Sequence, residues 1–262
     1  MSSRKDSGKA NPAKAAPYSG FAAIYDQIMA GVDYEGWVDY VESLLQHFEY
    51  RPQSVIDLAC GTGSSTLPLA ARGYRASGID LSGEMLQLAR AKAARAGLTV
   101  DFQQGDLRSL PREKRYDLAL LFQDGLNYLL TEAELSQAFT GVRKLLSPGG
   151  YFIFDLTRPS ARNRSEEFSF YWADEEGYTL IWESCYRGST DIWEIFLTLF
   201  IAEEGGLYRK LQEQHREKDY PPETVERLLE AAGFELLQIC PTYHVDRAGG
   251  DEPKLTFVAR RG

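Results

Sequence analysis

Residues 54–63, SVIDLACGTG, run a short apolar strand directly into a glycine-bearing turn. No other segment narrows the possible folds as much. Glycine at 61 and 63 lets the turn take positive φ and lets the backbone approach a ligand closely. A helix over residues 64–72, with Ser64 or Ser65 near its N-cap, follows the turn and presents free N–H groups toward the same place. Strand, glycine turn and helix in this order bind nucleotides in many folds.

The same alternation then repeats. Residues 75–79 read as a strand closed by Asp80, and Ser82 caps a helix that Gly97 stops. Strands follow at 99–103 and 116–122, the latter apolar almost throughout, as a central parallel strand is. A helix over 132–146 and a Pro-Gly-Gly turn at 148–150 lead into a strand at 151–155. Upstream, apolar residues at helical spacing predict two helices between Tyr18 and Phe48, broken at Gly31. Strands alternating with helices at these lengths indicate βαβ units and a parallel sheet.

The period changes to two over residues 168–218. Trp193, Ile195, Leu197, Leu199 and Ile201 alternate with Glu194, Phe196, Thr198 and Phe200. This predicts an antiparallel meander of three or four strands. A helix over 223–232 and strands at 235–241 and 254–260 close the chain. At 262 residues the chain is long for one average domain and short for two large ones. The expected organisation is a disordered tail at 1–16, an α/β domain at 17–158 and 219–262, and an inserted β subdomain at 159–218.

Two details separate the turn from a dinucleotide fingerprint. That fingerprint needs a third glycine at position 66, where this chain has Thr66. Asp57, four residues before Gly61, would repel a pyrophosphate but suits a cationic group. S-adenosylmethionine carries an ammonium and a sulfonium and no phosphate. Asp80, 19 residues after Gly61, stands where an acid accepts both ribose hydroxyls. Asp106 can accept a hydrogen bond from an adenine amino group, with Leu107 against the ring.

Taken together, DLACGTG, GIDLS, GDLRSLP, YDLALLFQDGLNYL and the Pro-Gly-Gly turn resemble the class I S-adenosylmethionine-dependent methyltransferases. The resemblance implies a doubly wound, seven-stranded, Rossmann-like sheet carrying the inserted β subdomain. It implies S-adenosylmethionine as cofactor and S-adenosylhomocysteine as product. By it, Asp57, Ala59, Gly61 and Gly63 border the methionine part and Asp80 takes the ribose. Leu81 and Met85 pack on the adenine, Asp106 and Leu107 close its other side, and Gln123 lies near the methionine. The segment YSGFAAIYD is similar to the first helix of small-molecule N-methyltransferases, which would bring Tyr18 and Tyr25 over the cofactor. Aromatics at helical spacing are also ordinary core residues, and Cys60 reads as a small filler beside the cofactor rather than a nucleophile.

Methyl transfer demands alignment and exclusion of water more than a fixed set of catalytic side chains. A base is needed only when the nucleophile must lose a proton. The candidates are Asp124 and Tyr128, after the fourth strand, and the Glu213–His215 pair in the meander. Strand alternation places Glu213 and His215 on one face, where together they could accept a proton. The alternative is that both are solvated edge-strand residues.

A net charge of −9 disfavours nucleic acid as a partner. The Asn/Asp-Pro-Pro-aromatic motif of exocyclic-amine methyltransferases is also missing after the fourth strand. The expected acceptor is therefore a nitrogen or oxygen of a small molecule or short peptide. Three scattered cysteines read as reduced thiols, with no metal site and a cytoplasmic setting. No apolar run approaches the ~20 residues of a membrane span. The aromatic-rich insert would wall a substrate pocket as a lid or form a homodimer interface. The rival functions are an NAD-dependent oxidoreductase, against which Thr66 and Asp57 argue, and a non-catalytic S-adenosylmethionine-binding protein.

Overall fold

The computed structural model describes residues 21–111, 114–158, 168–245 and 252–262. The expected tail at 1–16 and Tyr18 lie outside the described residues.

Seven strands form the main sheet: β1 (Ser54–Leu58), β2 (Arg75–Asp80), β3 (Asp101–Gln104), β4 (Tyr116–Leu121), β5 (Leu146–Thr157), β10 (Phe234–Pro241) and β11 (Lys254–Arg261). Their order is β10-β11-β5-β4-β1-β2-β3. The run β3-β2-β1-β4-β5 is parallel, and β11 pairs antiparallel with both β5 and β10. Strand order reverses between β1 and β4. Open α/β sheets bind their ligands at the carboxyl ends of the strands flanking such a switch point.

Alternation along the strands divides the core. Ile56, Leu58, Ala119, Leu121, Phe152, Phe154 and Phe257 face one side, against Leu135, Phe139 and Val142 of α5 (Glu132–Leu145) and Val225 and Leu229 of α6 (Pro222–Ala231). Val55, Leu118, Leu120, Ile153 and Val258 face the other, against Trp37, Val41 and Leu44 of α2 (Tyr34–His47). Burial on both faces explains why these strands are apolar throughout. A capping box in which Thr131 and Glu134 exchange hydrogen bonds starts α5. The strand expected at 151–155 begins five residues earlier, because Leu146 already pairs with Tyr116 ahead of an irregularity in the ladder.

The meander has four strands: β6 (Phe168–Glu175), β7 (Tyr178–Arg187), β8 (Ile192–Glu203) and β9 (Leu207–Lys218). Its inner face carries Leu180, Ile195, Leu197 and Leu199, packed on Phe21 and Ile24 at the start of α1 (Ala22–Ile28). A 3-10 turn, Met29–Gly31, separates α1 from α2, as Gly31 predicts.

Candidate active site

The turn after β1 has three residues at positive φ: Ala59 (57°), Gly61 (53°) and Gly63 (75°). The two glycines do different work. A Cβ on Gly61 would meet nothing within 4 Å, because the backbone there faces open space. A Cβ on Gly63 would sit 3.1 Å from Phe102 and 3.2 Å from Ala89. Gly63 therefore lets the turn pack on α4 (Gly83–Ala96) and β3 and does not line the cavity.

That cavity, of about 470 Å³, opens at the switch point. It takes in the sequence-predicted Tyr25, Asp57, Ala59, Gly61, Asp80, Leu81, Met85, Asp106, Leu107, Gln123 and Tyr128. Asp80 accepts the Gly61 N–H and the Ser82 N–H, each at 2.8 Å. It thereby ties the end of β2 to the glycine turn, while burial raises its pKa. Asp57 is fully buried. Burial pushes it up to about 6, although the Thr66 and Ser65 hydroxyls donate to it at 2.6 and 2.7 Å and favour its charge. The two neighbouring carboxylates make this wall a place for a cation and a poor one for a pyrophosphate. Leu81 is 64% exposed at the rim, beside buried Met85. An apolar shelf next to a carboxylate suits a flat base joined to a ribose. These residues fit S-adenosylmethionine.

Asp106 reaches the wall already clamped. Arg108 donates to both of its oxygens, at 2.5 to 3.0 Å, and holds its pKa low. An adenine amino group there would share the carboxylate with Arg108, which sequence reasoning missed. Also missed were Tyr34, Thr62, Ser64 and Phe122. Their only sequence signal is proximity to the motifs. α1 is latched above the turn by Asp26, which accepts from the Thr62 hydroxyl at 2.5 Å and pairs with Lys92 at 2.9 Å. Tyr25 both lines the cavity and packs edge-on against Phe21, so the two readings of this aromatic coexist.

Gln123 and Asp124 follow β4 at φ 59° and 66°. Their backbone N–H groups both donate to Asp155, at 3.1 Å. Burial pushes Asp155 up to about 6, and Lys254 opposes the shift from 3.0 Å. The Asp124 side chain is also held by Lys254, at 3.0 Å, and by the Thr157 hydroxyl. It does not line the cavity.

Tyr128 does line it, and its hydroxyl lies 2.8 Å from His215 Nδ1. The far nitrogen of His215 faces Glu213 Oε2 at 3.2 Å, and Glu213 Oε1 accepts the Phe21 N–H at 3.2 Å. Glu213 and His215 are 5% and 2% exposed, so the solvated-edge alternative does not hold. Neither lines the cavity. They meet it through Tyr128, which sequence separation hid. Cys60 is buried, with burial raising its thiol, and a Cβ on Gly78 would come 2.7 Å from its sulfur. It is a filler under the turn.

A Rossmann-like sheet whose switch point carries buried Asp57 and half-buried Asp80 is the arrangement expected of the S-adenosylmethionine-dependent methyltransferases. Comparison with known proteins agrees. Residues 55–150 match the family model described as a methyltransferase domain. The chain is 30% identical over 246 residues to a putative methyltransferase of Geobacillus sp. (strain WCH70), spanning 93% of this chain and 99% of that one. It superposes on the crystal structure of an S-adenosylmethionine-dependent methyltransferase from Clostridium acetobutylicum ATCC 824 with a TM-score of 0.82. That match has 27% identity and covers 94% of this chain and 99% of the other. A third relative, a dTDP-3-amino-3,4,6-trideoxy-alpha-D-glucopyranose N,N-dimethyltransferase of Streptomyces venezuelae, is 27% identical over 51% of this chain and 56% of its own length.

The chain belongs to the S-adenosylmethionine-dependent methyltransferase family. It is an enzyme of that class, and the NAD-dependent and non-catalytic alternatives are set aside. No helix among the described residues is long and apolar enough to cross a membrane.

Proposed function

We propose that the chain methylates an amine nitrogen of a small-molecule acceptor. The carrying observation is Tyr128, whose hydroxyl stands on the cavity wall with His215 and Glu213 behind it. An ammonium must lose a proton before its nitrogen can attack, and a newly methylated amine carries a surplus proton, which a phenol backed by titratable groups can take away. The Streptomyces venezuelae relative, named for N,N-dimethylation of an amino sugar nucleotide, supports nitrogen over oxygen.

S-adenosylmethionine supplies a methyl group already activated by its sulfonium. Asp80, Leu81 and Met85 hold the nucleoside, and Asp57 with the Gly61 turn favours the cationic methionine end. Gln123 and Tyr34 both line the cavity, and together they wall the space where the methyl group would lie. Tyr25 and Tyr34 exclude water from it. His215, held by Glu213, orients the Tyr128 hydroxyl. Asp124, engaged by Lys254 and Thr157, shapes the loop instead of moving a proton. The β6–β9 sheet, through β9, forms the back of the acceptor side and serves as a lid.

The test is calorimetric titration with S-adenosylhomocysteine, followed by incubation with S-adenosylmethionine and a panel of small amines, alcohols and short peptides. Mass spectrometry should find methylated amines. Methylated alcohols or peptides alone would overturn the acceptor assignment.

A further inference from the structure

Glu217 is absent from the sequence motifs, yet it shares a face of β9 with Glu213 and His215, the face turned toward Tyr128. It is partly buried. The neighbouring Tyr128 hydroxyl favours its charged form, and Asn127, next to Tyr128, donates to the Lys218 carbonyl at 2.9 Å, which holds this end of β9 against the loop while Tyr128 also meets His215. One phenol on the cavity wall is therefore bracketed by two titratable groups from the same strand. The charged groups facing Glu217 come from three directions. Asp124 and Tyr128 approach from the loop after β4, Lys254 from β11, and His215 from its own strand. Lys254 is itself committed to Asp124 and Asp155, each at 3.0 Å.

We propose that Glu217 takes the proton the acceptor amine must lose, receiving it through the Tyr128 hydroxyl. This rests on the reading of the chain as an amine methyltransferase. With Glu217 ionised, the phenol O–H is drawn to the carboxylate, a stronger acceptor than a neutral ring nitrogen. His215 stays beside the phenol oxygen through Nδ1, with Glu213 on its far side.

The step balances. The lone pair of the acceptor nitrogen forms the new N–C bond as the methyl carbon–sulfur bond breaks, and that electron pair stays on sulfur. The surplus proton on nitrogen passes to the Tyr128 oxygen while the phenol's own proton moves to a Glu217 oxygen. A sulfonium and a carboxylate become a neutral thioether and a neutral acid. Burial, with the like charge of Asp124, pushes Glu217 up to about 8, against the opposing pull of Lys254 and the Tyr128 hydrogen bond. A base of that strength matches an alkylammonium far better than an ordinary carboxylate does.

The test is the pH profile of kcat for the full chain, with an amine from the panel as acceptor. Wild type, Glu217→Gln, Glu217→Asp, Tyr128→Phe and His215→Asn are compared, and S-adenosylhomocysteine titration verifies folding of each. Wild type should rise through a limb near pH 8 that belongs to the enzyme. Glu217→Gln and Tyr128→Phe should lose it, with kcat down roughly 10- to 100-fold above pH 8 and KM for S-adenosylmethionine unchanged. Glu217→Asp should restore a limb, and His215→Asn should lower kcat but keep it. A limb retained in Glu217→Gln, or lost in His215→Asn alone, overturns the proposal while amine methylation stands. Failure of wild type to methylate any amine overturns both.

Discussion

The hydroxyl of Tyr128 lies 2.8 Å from Nδ1 of His215, 87 residues further along the chain. This contact joins the loop after β4, at the switch point of the parallel sheet, to the last strand of the four-stranded sheet.

Tyr128→Phe keeps the ring and removes only the hydroxyl. Turnover should fall about a hundredfold, the common scale for losing a positioned proton carrier. S-adenosylhomocysteine affinity should stay at the wild-type value. Glu213→Gln and His215→Ala should act in the same direction with smaller effect. Steady-state kinetics beside calorimetry would check this, and normal turnover in all three would leave the contact a structural one.

Asp80→Ala removes an acceptor for the Gly61 and Ser82 backbone N–H groups and, on the proposed reading, for the ribose. Cofactor affinity should drop by about 1.5–3 kcal/mol, roughly ten- to a hundredfold, as for a lost hydrogen bond to a charged group. A folded variant with undiminished affinity for S-adenosylhomocysteine would take Asp80 out of the site.

Gly61→Ala and Gly63→Ala should separate binding from stability. Alanine at 61 has room and points its methyl into the open space of the cavity. It should weaken cofactor binding with a small change in Tm. Alanine at 63 must enter φ 75° and press on Phe102 and Ala89. It should cost about 1–3 kcal/mol of folding stability. Thermal melts with and without S-adenosylhomocysteine would show whether the two effects divide in this way.

Stability without ligand should fall as pH rises from about 4 to about 6. Burial holds Asp57 and Asp155 at about 6 in the folded chain, above the ordinary carboxylate value near 4 of the unfolded chain. The folded state therefore binds more protons across that window, and deprotonation favours unfolding. Asp57 alone accounts for at most about 3 kcal/mol. Asp57→Asn retains an oxygen for the Thr66 and Ser65 hydroxyls. It should be more stable than wild type at pH 7 and lose its share of the slope. Urea unfolding at a series of pH values would measure this, and parallel slopes for the two proteins would contradict it. Below pH 4 the trend reverses, because Asp106, Asp117 and Glu134 have lowered pKa values and lose their partners on protonation.

The cavity at the switch point was legible in the sequence because most of its lining residues lie close together along the chain. Asp57, Gly61 and Thr66 lie within ten residues, and strand, turn and helix periodicity place them without long-range information. Asp80 and Asp106 follow because each ends a parallel strand, and parallel strands line up their carboxyl ends. The four-stranded meander was equally readable from its period of two, and so was the shared face of Glu213 and His215.

Only the tertiary structure decided what those side chains meet. Burial of Glu213 and His215 depends on α1 and Tyr128 covering β9. Nothing in the local pattern distinguishes that from a solvated edge. Glu217 and Lys254 come together because β9 ends and β11 begins beside the loop after β4, an arrangement set by the packing of the two sheets. Asp106 lines the cavity, with Arg108 clamped on both of its carboxylate oxygens. Local spacing thus determined the fold and the cofactor. Contacts between residues some 30 to 200 positions apart determined which groups are buried, and so which can carry a proton.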